Sequence, residues 1–440
     1  MRDMKDSGVE WIGKIPAGWI TIKIKHVAFL KGRIGWQGLT STEYQDEGAY
    51  LITGTDFENG FINWQNCVHI TEQRYNEYIL LHIRDGDLLI TKDGTIGKLA
   101  IVSNCPEKVT LNSGVMYIRS VGKYKYTNKF LYYVLLSNIF WDWYTISQRG
   151  NSTIKHLYQE QFYNFSFPLP PLPEQIKIAS YLDDKCSQID SIITAHRKII
   201  DKLKQYKSSL ITETVTRGLN SDVELKDSGV EWIGKIPEEW GYGRIKYNYY
   251  LKGRIGWQGL KANEFIDNGP YLITGTDFEN GSINWEKCYH ISEERYNEAP
   301  EIHVKVGDLL ITKDGTVGKV AFIDSKPDKV SLNSHLLIMR PINSQYSNKF
   351  LFWVIHSNIF DTFFQLSQNG SIMASLSQEK INNFSFPLPP LHEQIKISSY
   401  LDDKCSQIDS NINKREQIIT KLTEYKKSLI YELVTGKQEL

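Results

Sequence analysis

Residues Glu174 to Arg217 read EQIKIASYLDDKCSQIDSIITAHRKIIDKLKQYKSSLITETVTR, without Gly or Pro, and the stretch returns almost intact at Glu393 to Thr435. Leu182, Cys186, Ile189, Ile193, Ile200, Leu203 and Leu210 alternate in steps of four and three, the apolar seam of a coiled coil, interrupted at His196 and Lys207. Leu401, Cys405, Ile408, Ile412, Ile419, Leu422 and Leu429 repeat the seam, with interruptions at Arg415 and Lys426. Two matching seams in one chain predict helices that pair with each other. A helix of this length spans roughly 65 Å, so whatever follows Gly218 begins at its far end. A compact domain between the helices keeps its own termini close, which makes the second helix run back antiparallel to the first.

The segments ahead of the helices also repeat. KDSGVEWIGKIP occurs at Lys5 and Lys226, LKGRIGWQGL at Leu30 and Leu251, YLITGTDFENG at Tyr50 and Tyr271, and GDLLITKDGT at Gly86 and Gly307. This is duplication of a whole domain with its helix, since a solenoid repeats every 20 to 50 residues. The expected boundaries are 1–172 for a first domain, 173–218 for its helix, 219–391 for a second domain and 392–440 for the last helix. Alternation over Trp19–Lys25 and the apolar runs Asp87–Thr91 and Leu99–Val102 fit strands. Phe130–Leu136 and Phe350–Ile355 fit a short buried helix, with a strand as the alternative. Phe167-Pro-Leu-Pro-Pro-Leu-Pro173 and Phe386-Pro-Leu-Pro-Pro-Leu391 exclude helix and then permit it at its first turn, forming a stiff joint. The fold class is therefore α+β: two strand-rich globular domains joined by two long antiparallel coiled-coil helices, related by a pseudo-two-fold.

Composition narrows the function classes. The 440 residues carry 51 Lys+Arg and 51 Asp+Glu, so a basic surface for nucleic acid has to be local. MRDMKDSGVEW resembles neither a signal nor a transit peptide, and no apolar run is long enough to cross a bilayer, which makes the cytoplasm the default. Cys67, Cys105, Cys186, Cys288 and Cys405 include no CxxC pair and read as buried or bystander thiols. Gly94-Thr-Ile-Gly97-Lys98 fails as a phosphate loop, because Lys92 stands where its first Gly belongs and Leu99 where Ser or Thr binds magnesium. Lys313 and Val320 fail alike in the second copy. Gly32, Gly35 and Gly38 are not spaced as a dinucleotide fingerprint. His82 and His303 recur singly, as structural histidines do. No catalytic residues and no metal ligands emerge.

Binding finds better material. Lys31, Arg33, Trp36 and Gln37 lie on a Gly-rich segment, as do Lys252, Arg254, Trp257 and Gln258; Arg suits guanine edges, Gln suits adenine, and Gly admits phosphate to backbone amides. Thr91, Lys92, Thr95 and Lys98 fall on a strand-turn-strand, matched by Thr312, Lys313, Thr316 and Lys319. Gln148, Arg149 and Asn151 form a polar loop ahead of the proline joint, matched by Gln368 and Asn369. Each loop alone is an ordinary solvated turn, but their joint repetition favours DNA. Two other readings stay open on residues alone: a stand-alone DNA-modifying enzyme with unfamiliar motifs, and a tandem module for a non-DNA ligand such as a carbohydrate.

The order SGVEWIGKIP, GDLLITKDGTIGK, then PLPPLPEQIKIASYLD leading into a long helix, repeated in the second half, resembles the specificity subunit of Type I restriction-modification systems over essentially the whole chain. PLPPL followed by EQ is the most specific part; His392 replaces Pro173 in the second copy. The resemblance implies two target-recognition domains, each reading half of a bipartite site in double-stranded DNA. It further implies helices that space the domains and dock two methyltransferase (modification) subunits. With translocating restriction subunits the assembly becomes an ATP-dependent endonuclease. Without them it is an adenine-N6 methyltransferase using S-adenosylmethionine, and the specificity subunit itself is non-catalytic and holds no cofactor. Near-identical domains related by a two-fold are expected to read a near-palindromic, interrupted target.

Overall fold

A computed structural model describes residues 2–34, 39–121, 125–148, 156–254, 260, 262–368 and 376–440. The chain divides into two compact units, one ending at His196 and completed by Gln417–Leu440, the other running from Arg197 to Glu416. Each unit thus holds one strand-rich domain, the first part of one long helix and the last part of the other.

In the first unit SGVEWIGKIP closes a hairpin, Met4–Asp6 antiparallel to Lys14–Pro16. Its two indoles act as clips. Trp11 Nε1 donates to Ser166 O at 3.2 Å and Trp19 Nε1 to Glu174 Oε2 at 2.9 Å, fastening the N-terminus to the proline joint and the helix start. Trp232 and Trp240 make the equivalent bonds to Ser385 O and Glu393 Oε2, at 2.9 and 2.6 Å.

The central sheet has four antiparallel strands in the order Leu99–Ile101, Leu88–Thr91, Val115–Ser120 and Ala28–Gly32. Beside it Val109–Leu111 runs parallel to Ala49–Ile52, which pairs antiparallel with Val68–Ile70. The apolar run Leu88–Leu89–Ile90 is explained by burial on both faces. Leu88 and Ile90 join Phe130, Leu131 and Val134 on one side, while Leu89 joins Ile52, Val109 and Leu111 on the other. Asn128–Leu136 is a helix, as is Asn348–Ile355, each capped by a hydroxyl: Thr127 accepts from Phe130 N at 3.1 Å and Ser347 from Phe350 N at 3.3 Å. The second unit repeats the four-stranded order with Tyr249–Lys252, Leu336–Pro341, Leu309–Thr312 and Val320–Phe322.

At the joint, Phe167-Pro-Leu is a short strand paired with Ile20–Lys23, and the long helix starts at Leu172. Gln175, fully buried, ties the pieces together: its Oε1 accepts from Thr127 N at 2.9 Å, and its Nε2 donates to Pro170 O at 2.8 Å and Lys125 O at 3.2 Å. Gln394 does the same with Ser347 N, Pro389 O and Gln345 O at 2.9, 2.9 and 3.1 Å. The Gln after the prolines therefore sets the helix against its domain.

The long helices span Leu172–Arg217 and Leu391–Val434, 46 and 44 residues. Within the first unit Leu182, Cys186, Ile189 and Ile193 pack with Leu429, Ile430, Leu433 and Val434. Lys177 Nζ reaches Leu440 O at 2.7 Å, and Asp190 meets Lys426 Nζ at 2.6 Å, so contacts rise along one segment as they fall along the other. The pairing is antiparallel. In the second unit Lys207 Nζ meets Asp409 at 2.6 Å. Both lysines that interrupt the seams are thereby matched by a carboxylate of the facing helix.

Candidate nucleic-acid interface

Three segments of the first domain meet at one end of the central sheet. The Gly-rich segment leaves its edge strand at Gly32, where an added Cβ would lie 2.9 Å from Val115 O and 3.4 Å from Lys92 Cε. Only glycine lets the edge strand pass so close to Val115 and Met116 of the neighbouring strand. The hairpin 91–98 is braced from inside: Thr91 Oγ1, buried, donates to Thr95 O at 2.5 Å and accepts from Lys98 N at 2.9 Å. Lys92 N bonds Gly114 O at 2.8 Å and Leu157 N bonds Lys92 O at 3.0 Å, so the turn at Asn112–Gly114 and the chain at Leu157 flank the hairpin. Thr95 and Lys98 are exposed.

The second domain repeats this almost bond for bond. Thr312 Oγ1 donates to Thr316 O at 2.5 Å and accepts from Lys319 N at 2.9 Å, Lys313 N bonds His335 O at 2.9 Å, and Leu376 N bonds Lys313 O at 3.0 Å. Thr316 and Lys319 are exposed.

The expected residues fall into groups. Lys31, Lys92, Lys252 and Lys313 are half-buried, while Thr95, Lys98, Thr316 and Lys319 face outward. Arg33 and Arg254 are interior: Arg33 Nε donates to Leu111 O at 2.8 Å and Nη2 to Thr110 at 3.3 Å, and Arg254 Nε and Nη2 donate to Leu332 O and Ser331, both at 2.9 Å. Burial, then the neighbouring Arg74 or Arg295 cation, pushes both guanidinium pKa values down. These arginines and Thr91 and Thr312 hold the loops from behind. Gln148, half-buried, donates to Gln161 Oε1 at 3.1 Å, away from the hairpin bonds; Gln368 is half-buried at the corresponding helix end. Trp36, Gln37, Arg149, Asn151, Trp257, Gln258 and Asn369 lie outside the described residues.

The turn Thr53-Gly-Thr-Asp56 is part of the same face and went unnoticed as a site. Asp56, buried, accepts from Thr53 N at 2.7 Å and closes the turn, Lys98 Nζ reaches Gly54 O at 3.3 Å, and a Cβ on Gly54 would touch Thr91 Cγ2 at 3.2 Å. Thr274–Asp277 repeats the sequence, and Asp277 likewise accepts from Thr274 N at 2.7 Å. The signal was present: TGTD recurs unchanged in both copies. Each face thus offers Thr hydroxyls, turn amides and a lysine, groups that meet phosphates and base edges.

Elsewhere the lone histidines are satisfied. His82 stacks on Tyr75 at 3.8 Å and His303 on Tyr296 at 3.7 Å, each with Nε2 on the tyrosine's own carbonyl. The five cysteines are free; burial, then Asp56, pushes the Cys67 thiol up to about 12. Among the described residues no helix is long and apolar enough to cross a membrane, and no group of three or more His, Cys, Asp or Glu could hold a metal ion.

The Type I restriction modification DNA specificity domain matches residues 16–205 and again 258–420. The Type I restriction enzyme MjaVIII specificity subunit of Methanocaldococcus jannaschii is 24% identical over 435 residues, covering 96% of this chain and 94% of that protein. The EcoBI specificity subunit of Escherichia coli is 22% identical over 452 residues, covering 99% and 90%. A chain from a solved type I R-M system superposes with a TM-score of 0.71 at 17% identity, covering 96% of this chain and 99% of that one. The HsdS subunit from Thermoanaerobacter tengcongensis superposes at 0.53 and 17% identity, covering 96% and 98%. The structural likenesses speak for the fold alone. With the specificity domain present twice across most of its length, the chain belongs to the Type I restriction-modification specificity subunit family.

Proposed function

We propose that the chain selects the DNA target of a Type I restriction-modification complex, each domain reading one half of a bipartite site with the face built from the Gly-rich segment, the hairpin and the Thr-Gly-Thr-Asp turn. Within those faces Lys98, Thr95, Thr53 and Thr55, and their counterparts Lys319, Thr316, Thr274 and Thr276, are the groups that meet DNA. Lys31, Lys92, Lys252 and Lys313 add charge from the side. Arg33, Arg254, Thr91 and Thr312 act by positioning. Trp36, Gln37, Gln148, Arg149, Asn151, Trp257, Gln258, Gln368 and Asn369 stay candidates for contact on their chemistry. The chain carries no chemistry of its own in this reading. It acts in the cytoplasm through two docked modification subunits, which methylate adenine N6 with S-adenosylmethionine, and through restriction subunits that translocate and cut.

The observation that carries the reading is that the backbone bracing of the hairpin and of the Thr-Gly-Thr-Asp turn recurs in both domains, each joined to helices that pair across the unit. Two near-copies of one reader select nearly the same short sequence, and on this reading the target is close to an interrupted palindrome. The test is to assemble the chain with its modification subunit, select from a random DNA library, and sequence the bound pool. Two short elements in inverted orientation are expected. A pool with no enriched sequence overturns the DNA reading, and two unrelated elements overturn the near-palindrome.

A further inference from the structure

The two hairpins carry equivalent carboxylates, Asp93 and Asp314, but a different histidine meets each one. In the first domain His156 bonds Asp93 through Nδ1 and is half-buried. The facing turn there ends in Gly114, where an added Cβ would lie 3.9 Å from Asp93 Cβ. In the second domain the sequence has Ser375 at the place of His156, and His335 at the place of Gly114. His335 Nδ1 lies 3.3 Å from Asp314 Oδ2, and the His335 side chain is 60% exposed. The backbone of His335 is fixed as well, since its carbonyl accepts from Lys313 N at 2.9 Å. Behind it runs the Gly-rich segment, where a Cβ on Gly253 would meet Leu336 O at 2.7 Å. Position 335 therefore carries an imidazole beside the hairpin carboxylate where position 114 carries a glycine.

A carboxylate that accepts from Nδ1 sets the tautomer of the ring and leaves Nε2, on the opposite side, as its second polar atom. An imidazole nitrogen of fixed orientation discriminates among base edges, which differ in donor and acceptor pattern. Resting on the DNA reading above, we propose that His335 is a specificity-determining residue of the second domain, with Asp314 as its positioning residue, and that the two half-sites consequently differ at the base His335 meets. The competing role is a solvated surface pair, which leaves the selected sequence unaltered.

The test compares bound pools from the wild-type chain, His335→Gly, Asp314→Asn and Gly114→His, each assembled with the modification subunit. Wild type is expected to select half-sites that differ at one position or more. His335→Gly lowers discrimination at one of those positions, in one half-site, by about 5-fold, the low end of what a bidentate base contact gives, since His335 offers one nitrogen. Asp314→Asn relaxes the same position. Gly114→His, at a glycine outside the left-handed region, creates a new preference in the other half-site. Unchanged half-sites in His335→Gly, or an affinity loss spread evenly over all sequences, would overturn the assignment while leaving the DNA reading intact. A wild-type pool with two identical half-sites would do the same, and one without any enriched sequence overturns both together.

Discussion

Replacing Gln175 by Ala tests whether the residue after the prolines locks helix to domain. The substitution strands Thr127 N, a part-buried donor at the start of the helix Asn128–Leu136, and deprives Pro170 O and the exposed Lys125 O of their donor. An orphaned part-buried donor costs about 1 kcal/mol, and each lost carbonyl bond about 0.5–1 kcal/mol, giving roughly 2–3 kcal/mol. In a unit of this size each kcal/mol shifts the melting temperature by about 2–4 °C, so the first unit is expected to melt on the order of 10 °C lower. Gln394→Ala, which removes the same three bonds in the second unit, gives an internal replicate. Scanning calorimetry with hydrogen exchange read separately on peptides of each unit assigns the loss: Gln175→Ala loosens 125–131 and the helix start, Gln394→Ala loosens 345–351. Melting within about 1 °C of wild type for both variants would refute the idea that this amide bears on stability.

Lys98→Ala and Lys319→Ala are expected to weaken DNA binding across all sequences and to reduce the slope of log affinity against log salt by about one, measured by titration at several salt concentrations. Arg33→Ala should instead lower the melting temperature of the first unit, because its guanidinium braces Leu111 and Thr110 from inside. A double-mutant cycle on Lys207 and Asp409, each a quarter to a half exposed, should return a coupling of about 0.2–1 kcal/mol that shrinks with salt. Gly97→Ala and Gly318→Ala both force a left-handed backbone on alanine, but a Cβ at Gly97 would meet Trp141 at 2.7 Å and one at Gly318 only Phe360 at 3.5 Å. Gly97→Ala is therefore expected to cost the first unit more than Gly318→Ala costs the second, in parallel urea melts.

The helices, their antiparallel pairing and the strand runs were legible because each is a local, periodic pattern that duplication states twice. Leu88–Ile90 read as a strand without revealing that both faces are covered, which depends on Phe130 and Val109 arriving from elsewhere in the chain. Lys207 and Lys426 looked like defects in a seam. Their partners, Asp409 and Asp190, sit on the other helix, where register and not composition decides the match. Arg33 read as a DNA contact because an Arg on a Gly-rich segment suits guanine edges. The carbonyl that captures it lies 78 residues downstream, a distance over which sequence pattern carries no geometry. The Thr-Gly-Thr-Asp turn shows the opposite failure: its residues read as an ordinary turn, and only the approach of Lys98 to Gly54 places it beside the hairpin.

The interior brace of the hairpin has an evolutionary corollary. Thr91 holds the turn through one backbone carbonyl and one backbone amide, so the bonds that shape the tip do not depend on which side chains the tip displays. Substitutions at exposed Thr95 and Lys98, or at Thr316 and Lys319, then leave folding within about half a kcal/mol, as surface changes usually do. If the proposed face reads DNA, a reader constructed this way drifts toward a new recognition sequence one position at a time while its scaffold stays intact, and either half drifts without the other.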